Sequence, residues 1–250
     1  MPVSSPRPIP ILMYHQIARP SPRGTPYRSL SVAPGTFARH MRWLKALGYR
    51  GLSMRDLAPY LAGERTGKVF GLTFDDGFRN VHRHALPVLQ SLGFTATNYF
   101  VAGHLGGHNF WDASEGVPSA PLMDAQELRD WVAAGNEAGS HTIDHVDLPA
   151  LPPDEAVTQL SRSRTMLAAL SGAPCEAFCY PYGHYDANHV HLVRKAGYTS
   201  ATTTDRGRAQ PGASLFELPR VPVLRTTSFL LLLQKLTTNY EDKRGAGHTR

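Results

Sequence analysis

The sequence has little charge, almost no cysteine and no long apolar run. Only 18% of its 250 residues are charged, which disfavours a coiled coil or a solvated helical rod. Its two cysteines cannot form a disulfide scaffold. The apolar run 229–233 is far shorter than a membrane span, and residues 1–10 are too polar and proline-rich for a secretory signal. We therefore expect no membrane span and, from the sequence as it stands, a cytoplasmic protein; a protein whose leader had been trimmed would show the same pattern.

Hydrophobic residues and histidines are well represented. A hydrophobic fraction of 42% is enough for a packed core, and there are 12 histidines. Histidine is the commonest metal ligand and titrates near neutral pH, so some of these side chains are candidates for chemistry. The net charge of +6 could suit nucleic acid. The basic residues are scattered without a run of five, however, so we expect no nucleic-acid partner.

Segments typical of strands and helices alternate along the chain. The predicted strands are 9–15, 69–74, 95–101, 136–140, 177–180, 198–203 and 221–224. Helices are predicted from residue 34, over 56–62 and 78–92, from residue 124, and over 153–170, 186–195 and 227–236. This alternation predicts parallel strands with helical crossovers. No glycine-rich nucleotide motif follows a strand, so a (β/α) barrel fits better than a nucleotide-binding fold. Residues 18–34 and 102–123 are long loops, and 239–250 are predicted to form a flexible tail.

Two adjacent carboxylates, Asp75 and Asp76, directly follow the predicted strand 69–74. Like charges so close together are costly unless a cation relieves them. The strand end is also where barrels place their chemistry. The alternative is a helix N-cap followed by a turn glycine, Gly77.

A second polar cluster contains His141 and His145 after the predicted strand 136–140. The spacing His-x-x-x-His places two imidazoles one helical turn apart, which suits chelation of one divalent ion. A chance pair is the alternative in a chain so rich in histidine.

The third cluster, residues 178–184, follows another predicted strand. Its proline and glycine flank Tyr182 and predict a tight loop that can direct a backbone N–H at a substrate oxygen. A plain strand-to-helix turn is the alternative. Together the clusters offer one carboxylate and two imidazoles with room for substrate, as in catalytic metal sites. The remaining carboxylate is the group that a general base requires.

These motifs resemble the polysaccharide deacetylase family, carbohydrate esterase family 4, also called the NodB homology domain. The matching stretches are Thr-Phe-Asp-Asp-Gly at 73–77, Ser-His-Thr-x-x-His at 140–145 and Tyr-Pro-Tyr-Gly at 180–183. The resemblance implies an α/β protein with a distorted (β/α)7 TIM-like barrel, a single domain over residues 1–238. It also implies one divalent metal ion, usually Zn²⁺, with Co²⁺ or Ni²⁺ as alternatives.

The resemblance also implies roles for individual residues. Asp76, His141 and His145 resemble the metal ligands, and Asp75 resembles the catalytic base. The Tyr182 backbone N–H resembles the donor to the oxyanion. The predicted substrate-binding residues are Met13, Tyr180, Pro181 and Tyr182.

The sequence departs from the family pattern in two places. Many members carry an arginine where Cys179 stands, and we hypothesise that Arg220 substitutes for it; His184 is a second candidate for an outer position around the site. The late Leu-x-His motif is missing, but Met13-Tyr14-His15 resembles it at the N-terminus. This resembles a circularly permuted subgroup that includes biofilm poly-N-acetylglucosamine deacetylases. On that basis His15 is the general acid and Met13 lines the acetyl pocket.

The implied activity is metal-dependent hydrolysis of an N-acetyl group on an amino-sugar polymer or oligosaccharide. A hydrolase acting on another C–N or ester bond remains an alternative. A non-catalytic metal- or carbohydrate-binding module is a further alternative, although a pure binder does not need Asp75 and His15. The sugar, its linkage and its chain length depend on loops 18–34 and 102–123, and nothing in the sequence indicates an oligomeric state.

Overall fold

The structure is a computed structural model that describes residues 7–246. The strands of this part of the chain are β1 (Ile11–Tyr14), β2 (Gln16–Ile17), β3 (Ser31–Val32), β4 (Arg50–Leu52), β5 (Val69–Phe74), β6 (Thr97–Phe100), β7 (Glu137–Ser140), β8 (Ala177–Cys179), β9 (Ser200–Arg206) and β10 (Leu218–Pro222). The α-helices are α1 (Pro34–Ala46), α2 (Met54–Leu61), α3 (Arg79–His84), α4 (Leu86–Leu92), α5 (Ala125–Ala133), α6 (Pro153–Ser171), α7 (Ala187–Lys195), α8 (Phe229–Thr237) and α9 (Tyr240–Gly245).

Seven strands, β1 and β5 to β10, form a closed parallel barrel surrounded by helices. The first strand closes it, because Leu12 lies opposite Val221 of β10 on one edge and opposite Leu72 of β5 on the other. The short strand β4 pairs with the first residues of β5, below the pairing of β5 with β6. The predicted α/β class, the seven-stranded barrel and the single domain are confirmed.

Burial on both faces explains the apolar strands. All six residues of β5 are buried, because one face points into the barrel and the other is covered by helices. The larger hydrophobic cluster, which includes Phe37 and Met41 of α1, lies between helices and strands. A smaller cluster that includes Ile11 and Tyr99 packs against the opposite side of the strands. Among residues 7–246, no helix is long and apolar enough to cross a bilayer.

Some predicted boundaries are wrong. The last strand begins at Leu218, not at residue 221, so Arg220 lies within it. The single helix predicted over 78–92 is two helices that meet at Ala85. Its Pro87 has no N–H to continue the ladder of α3. Strand β4 was missed because three residues carry too short a pattern to detect.

The predicted flexible tail is also wrong for residues 240–245, which form α9. Glu241 is fully buried, and its Oε2 accepts a hydrogen bond from Arg206 Nε at 2.7 Å. Asp242 pairs with Arg208 at 2.6 Å. A charged segment is predicted to be a solvated tail when the residues that pair with its charges are unknown. Here those residues are Arg206 on β9 and Arg208 after it. Residues 247–250 lie outside the described part of the chain.

Candidate active site

Three potential metal ligands meet beyond the carboxyl ends of β5 and β7. Asp76, His141 and His145 are all buried, and their ligand atoms lie within 4.8 Å of one another. Asp76 Oδ1 is 3.6 Å from His141 Nε2 and 3.4 Å from His145 Nε2. One carboxylate and two imidazoles form a three-ligand set with room for water or substrate, as catalytic zinc sites require.

The backbone at two of these ligands, Asp76 and His145, is left-handed. The φ angles of Asp76 and His145 are 72° and 55°, a conformation that non-glycine residues adopt only where the surroundings enforce it. The prediction that His141 and His145 lie one helical turn apart on a helix face is wrong, because residues 141–145 form a non-helical turn after β7. Gln159 Oε1 holds this turn by accepting hydrogen bonds from the backbone N–H groups of Ile143 and Asp144, at 2.9 and 3.2 Å.

Neighbouring groups orient both imidazoles. His141 Nδ1 is 2.7 Å from the Cys179 carbonyl oxygen and therefore donates to it, so the Nε2 lone pair faces Asp76. His145 stacks on Trp111 with ring centroids 4.6 Å apart, and the Tyr182 ring meets it edge-on at 4.6 Å. Burial lowers the pKa of His145 despite the nearby Asp76 carboxylate. A neutral imidazole is the form that binds a metal ion.

The carboxylate of Asp75 is held by Arg220 of β10. Arg220 Nη1 and Nη2 donate to the two carboxylate oxygens at 2.7 and 2.8 Å. The same guanidinium donates to Thr73 Oγ1, the Thr203 carbonyl and Cys179 Sγ, at 3.1, 2.7 and 3.2 Å. Burial would raise the pKa of Asp75, but the guanidinium and nearby imidazoles outweigh it and the pKa is lowered. Asp75 is therefore ionised.

His15 follows β1 and lies beside Asp75. Its Nε2 is 3.7 Å from Asp75 Oδ2, and its side chain is 18% exposed. The Asp75 N–H donates to the Tyr14 carbonyl at 3.0 Å, which holds the ends of β1 and β5 together. Met13 lies two residues before His15 and is 8% exposed.

A cleft opens onto this site. His15 and Asp76 line it together with residues from both long loops, among them Tyr27 and Asp112. Tyr27 Oη donates to Glu115 Oε2 at 2.8 Å and thereby joins the two loops. The loops 18–34 and 102–123, expected to decide the substrate, thus form the walls of one cleft.

Two predicted substrate contacts are not supported by the structure. The Tyr180 side chain is fully buried, donates to the Phe216 carbonyl at 3.1 Å and stacks on Tyr185. The side chain of Tyr180 thus belongs to the packing around β8, and its role as a substrate contact stays a prediction. Pro181 is also buried. Tyr182 is 37% exposed beside His145 and has a φ of 58°.

Other histidines lie away from the metal ligands or inside the core. His184 is 61% exposed and pairs with Asp147 at 3.3 Å, outside the group of Asp76, His141 and His145. His40 and His189 are 2% and 7% exposed. Both lie on helices but face the core, and their positions in the sequence do not reveal this.

Sequence reasoning missed Trp111 and Asp112. Both lie in the loop 102–123 that was predicted to bind ligand, but neither was singled out within it. Trp111 is far from His145 in sequence, and only the folded loop reveals their stacking. An aromatic pair, Phe110 and Trp111, inside a glycine-rich loop was the available signal.

The barrel and the ligand group together define a barrel hydrolase with its site at the carboxyl ends of the strands. The chain belongs to the polysaccharide deacetylase family, whose model matches residues 62–201. It is an enzyme of that family.

Individual relatives agree with this assignment. YxkH of Bacillus subtilis (strain 168) is 27% identical over 220 residues, which cover 87% of this chain and 72% of that protein. The poly-beta-1,6-N-acetyl-D-glucosamine N-deacetylase of Staphylococcus aureus (strain MRSA252) is 22% identical over 204 residues, or 78% of this chain and 68% of that one. The solved Streptococcus pyogenes deacetylase PplD, in complex with acetate, matches with a TM-score of 0.80 and 28% identity over 93% of this chain and 99% of that chain.

Proposed function

We propose that this chain is a metal-dependent deacetylase that removes N-acetyl groups from an amino-sugar polymer or oligosaccharide of the N-acetylglucosamine type. The observation that supports it best is the convergence of an ionised carboxylate, Asp75, and an imidazole, His15, beside the ligand group of Asp76, His141 and His145. The name of the Staphylococcus aureus relative supports the choice of amino sugar.

The donor atoms of the ligand group fit one divalent ion. Asp76 would supply a carboxylate oxygen, and His141 and His145 would each supply Nε2. Oxygen and imidazole donors of this kind suit Zn²⁺, with Co²⁺ and Ni²⁺ as alternatives. Bound there, the ion would polarise the acetamide carbonyl and lower the pKa of a water molecule.

Asp75 is positioned to accept the proton of the attacking water. Its two oxygens each accept one hydrogen bond from Arg220, and each retains a second lone pair. The guanidinium fixes the carboxylate in one orientation and keeps it ionised. Both properties are what a general base requires.

His15 and Tyr182 would act on the other side of the reacting carbonyl. Protonated His15 would donate its proton to the leaving amine, and its partial exposure lets it be reprotonated from solvent. The Tyr182 backbone N–H would donate to the oxyanion of the tetrahedral intermediate. Because Asp75 must be ionised while His15 is protonated, the rate should have a bell-shaped pH profile.

The test is acetate release from a panel of β-1,4- and β-1,6-linked N-acetylglucosamine oligomers, peptidoglycan and acetyl esters. We expect release from an N-acetylated oligomer, and we expect Asp75→Asn and His15→Ala to lower kcat by about 10²- to 10⁴-fold. His184→Ala is the matched control, because His184 is exposed and outside the ligand group. Near-full activity in Asp75→Asn or His15→Ala with metal bound would refute the assigned roles.

Metal dependence is tested separately by metal content. Asp76→Asn and His141→Ala should lose bound Zn²⁺ in equilibrium dialysis, whereas His184→Ala should retain it. Treatment with a chelator should abolish acetate release, and added Zn²⁺ should restore it. Unchanged release from fully metal-depleted protein would exclude the proposed mechanism.

A further inference from the structure

An apolar patch is exposed where α1 packs against α8. Its surface is lined by Trp43 and Ala46 of α1, Leu47 directly after α1, and Phe229 of α8. We call these four residues, together with the exposed Leu230 that follows Phe229 in α8, the α1–α8 patch. Trp43, Leu47 and Leu230 are 46%, 43% and 78% exposed, and the rings of Trp43 and Phe229 lie 4.5 Å apart. We propose that the α1–α8 patch binds the surface of an anionic lipid bilayer.

Core packing does not account for Leu230. Helix α8 buries Leu232 and Leu236 against the barrel, whereas Leu230 points to solvent. It is the most exposed of the large hydrophobic side chains in the described part of the chain. Trp43 and Leu47 are separated by one helical turn and therefore share a face. Contiguous exposed apolar side chains of this kind mark interaction surfaces.

The charges around the patch are of one sign. Helix α1 carries Arg39 and Arg42, and neither α1 nor α8 contains an acidic residue. Lys68 Nζ donates to the Leu47 carbonyl at 3.4 Å, which places another cation at the edge of the patch. These cations account for part of the net charge of +6, which the proposed hydrolysis does not explain.

A bilayer can bind both the apolar side chains and the cationic side chains of this surface. Anionic headgroups attract nearby lysine and arginine side chains, and tryptophan and leucine enter the boundary between headgroups and acyl chains. A soluble polyanion would pair with Arg39 and Arg42 but would leave Trp43 and Leu230 in water. A second copy docked by two-fold symmetry would bring two like-charged rims together. Of the three occupants, the bilayer is the one we infer.

The test is co-sedimentation of the full chain with vesicles. Vesicles of equal parts phosphatidylglycerol and phosphatidylcholine should retain the protein, and vesicles of phosphatidylcholine alone should retain much less. Leu230→Glu should lower the bound fraction about fivefold or more, because it loses apolar insertion and adds repulsion. Leu215→Glu is the matched control, since Leu215 is an exposed leucine elsewhere on the surface.

A second set of variants separates the electrostatic contribution to vesicle binding from the apolar contribution. Arg39→Gln combined with Arg42→Gln should weaken binding to the anionic vesicles about fivefold. The same change at exposed Arg129 and Arg162 should have a much smaller effect. Acetate release from a soluble oligosaccharide should stay unchanged in all these variants, because none of the residues is part of the proposed active site.

Three outcomes would overturn the proposal. One is no retention of the wild-type chain by anionic vesicles. Another is equal retention of Leu230→Glu and the wild type, which would indicate general electrostatic adsorption. The third is a wild-type dimer in light scattering that Leu230→Glu converts to a monomer, which would identify the patch as a self-association surface.

Discussion

Arg220 and Asp75 are 145 residues apart in sequence and form a bidentate ion pair in the barrel. Arg220 comes from β10 and is fully buried. The Sγ of Cys179, which stands where the family resemblance led us to expect an arginine, is 3.2 Å from Arg220 Nη2. The guanidinium that binds Asp75 therefore comes from β10, at a position that a side chain at residue 179 of β8 could also reach.

This geometry predicts the result of exchanging the residues at positions 179 and 220. Arg220→Cys should lower kcat by at least about 10²-fold and destabilise the fold by about 3–5 kcal/mol, because it leaves Asp75 as a buried, unpaired carboxylate. Combining it with Cys179→Arg should recover part of both losses. Acetate release and thermal unfolding of the single and double variants measure the coupling. Equal defects in Arg220→Cys and the double variant would show that a guanidinium at position 179 does not reach Asp75.

Two glycines with similar backbones predict different costs for alanine. Gly172 and Gly183 have φ angles of 72° and 77°, but only Gly183 has a side chain, Thr204, where a Cβ would stand. Gly172→Ala should cost about 1 kcal/mol of unfolding free energy. Gly183→Ala should cost about 3 kcal/mol and lower kcat, because the loop that carries Tyr182 must move. Denaturant unfolding and acetate release check both, and equal losses at the two positions would contradict the steric argument.

The contacts of α9 predict that the chain loses stability when it is shortened to a point before this helix. Lys235 Nζ lies 2.8 Å from Glu241 Oε1, and both residues are buried. A chain ending at Thr238 should lose about 3–5 kcal/mol of stability, because Lys235 and Arg206 would lose their shared carboxylate. A chain ending at Ala246 keeps α9 and is the control for truncation. Identical melting temperatures for the two truncations would show that α9 contributes nothing.

The buried His40 predicts a pH dependence of stability. Burial, assisted by the nearby Arg39 charge, lowers the pKa of His40 from 6.5 to about 4. Between these pH values the unfolded chain binds more protons than the folded chain, so the contribution of His40 to stability falls as pH falls from 6.5 toward 4. His40→Leu should therefore lose less stability than the wild type between pH 7 and pH 4.5, by on the order of 2 kcal/mol. Urea unfolding across this range measures it, with exposed His191→Leu as the control; parallel curves for wild type and His40→Leu would refute it.

Local pattern was sufficient for much of the fold. The run 69–74 was predicted as a buried strand with the bounds that β5 has, because six apolar or small residues end at a charged pair. Helix α6 was predicted from residue 153 and ends one residue later than expected. The clusters that contain Asp76, His141 and His145 were found because they follow predicted strands, and strand ends in a parallel barrel meet. The choice of Asp76 over Asp75 as the metal-ligand candidate came from the family resemblance.

Long-range partners could not be predicted in this way. The family resemblance led us to hypothesise that Arg220 replaces the missing arginine, but no local pattern predicts its bidentate contact with Asp75. That contact depends on the register of β10, whose start was predicted at residue 221 and lies at Leu218. The burial of Glu241 depends on Arg206 and Lys235, which lie on other elements. Trp111 reaches His145 through a loop whose path no periodicity describes. In each case the deciding interaction joins segments that no local pattern relates.

The position of β1 between β5 and β10 has a consequence for biosynthesis. His15, Asp75 and Arg220 lie on or directly after three neighbouring strands that include the first and the last strands of the barrel. The edge of β1 that pairs with β10 stays unpaired until residues 218–222 have been synthesised, and pairings so distant in sequence form late. A ribosome-bound or prematurely terminated chain would therefore hold Asp75 without the cation that orients it. Catalytic competence would arise only at the closing of the barrel, which makes activity a direct reporter of complete folding.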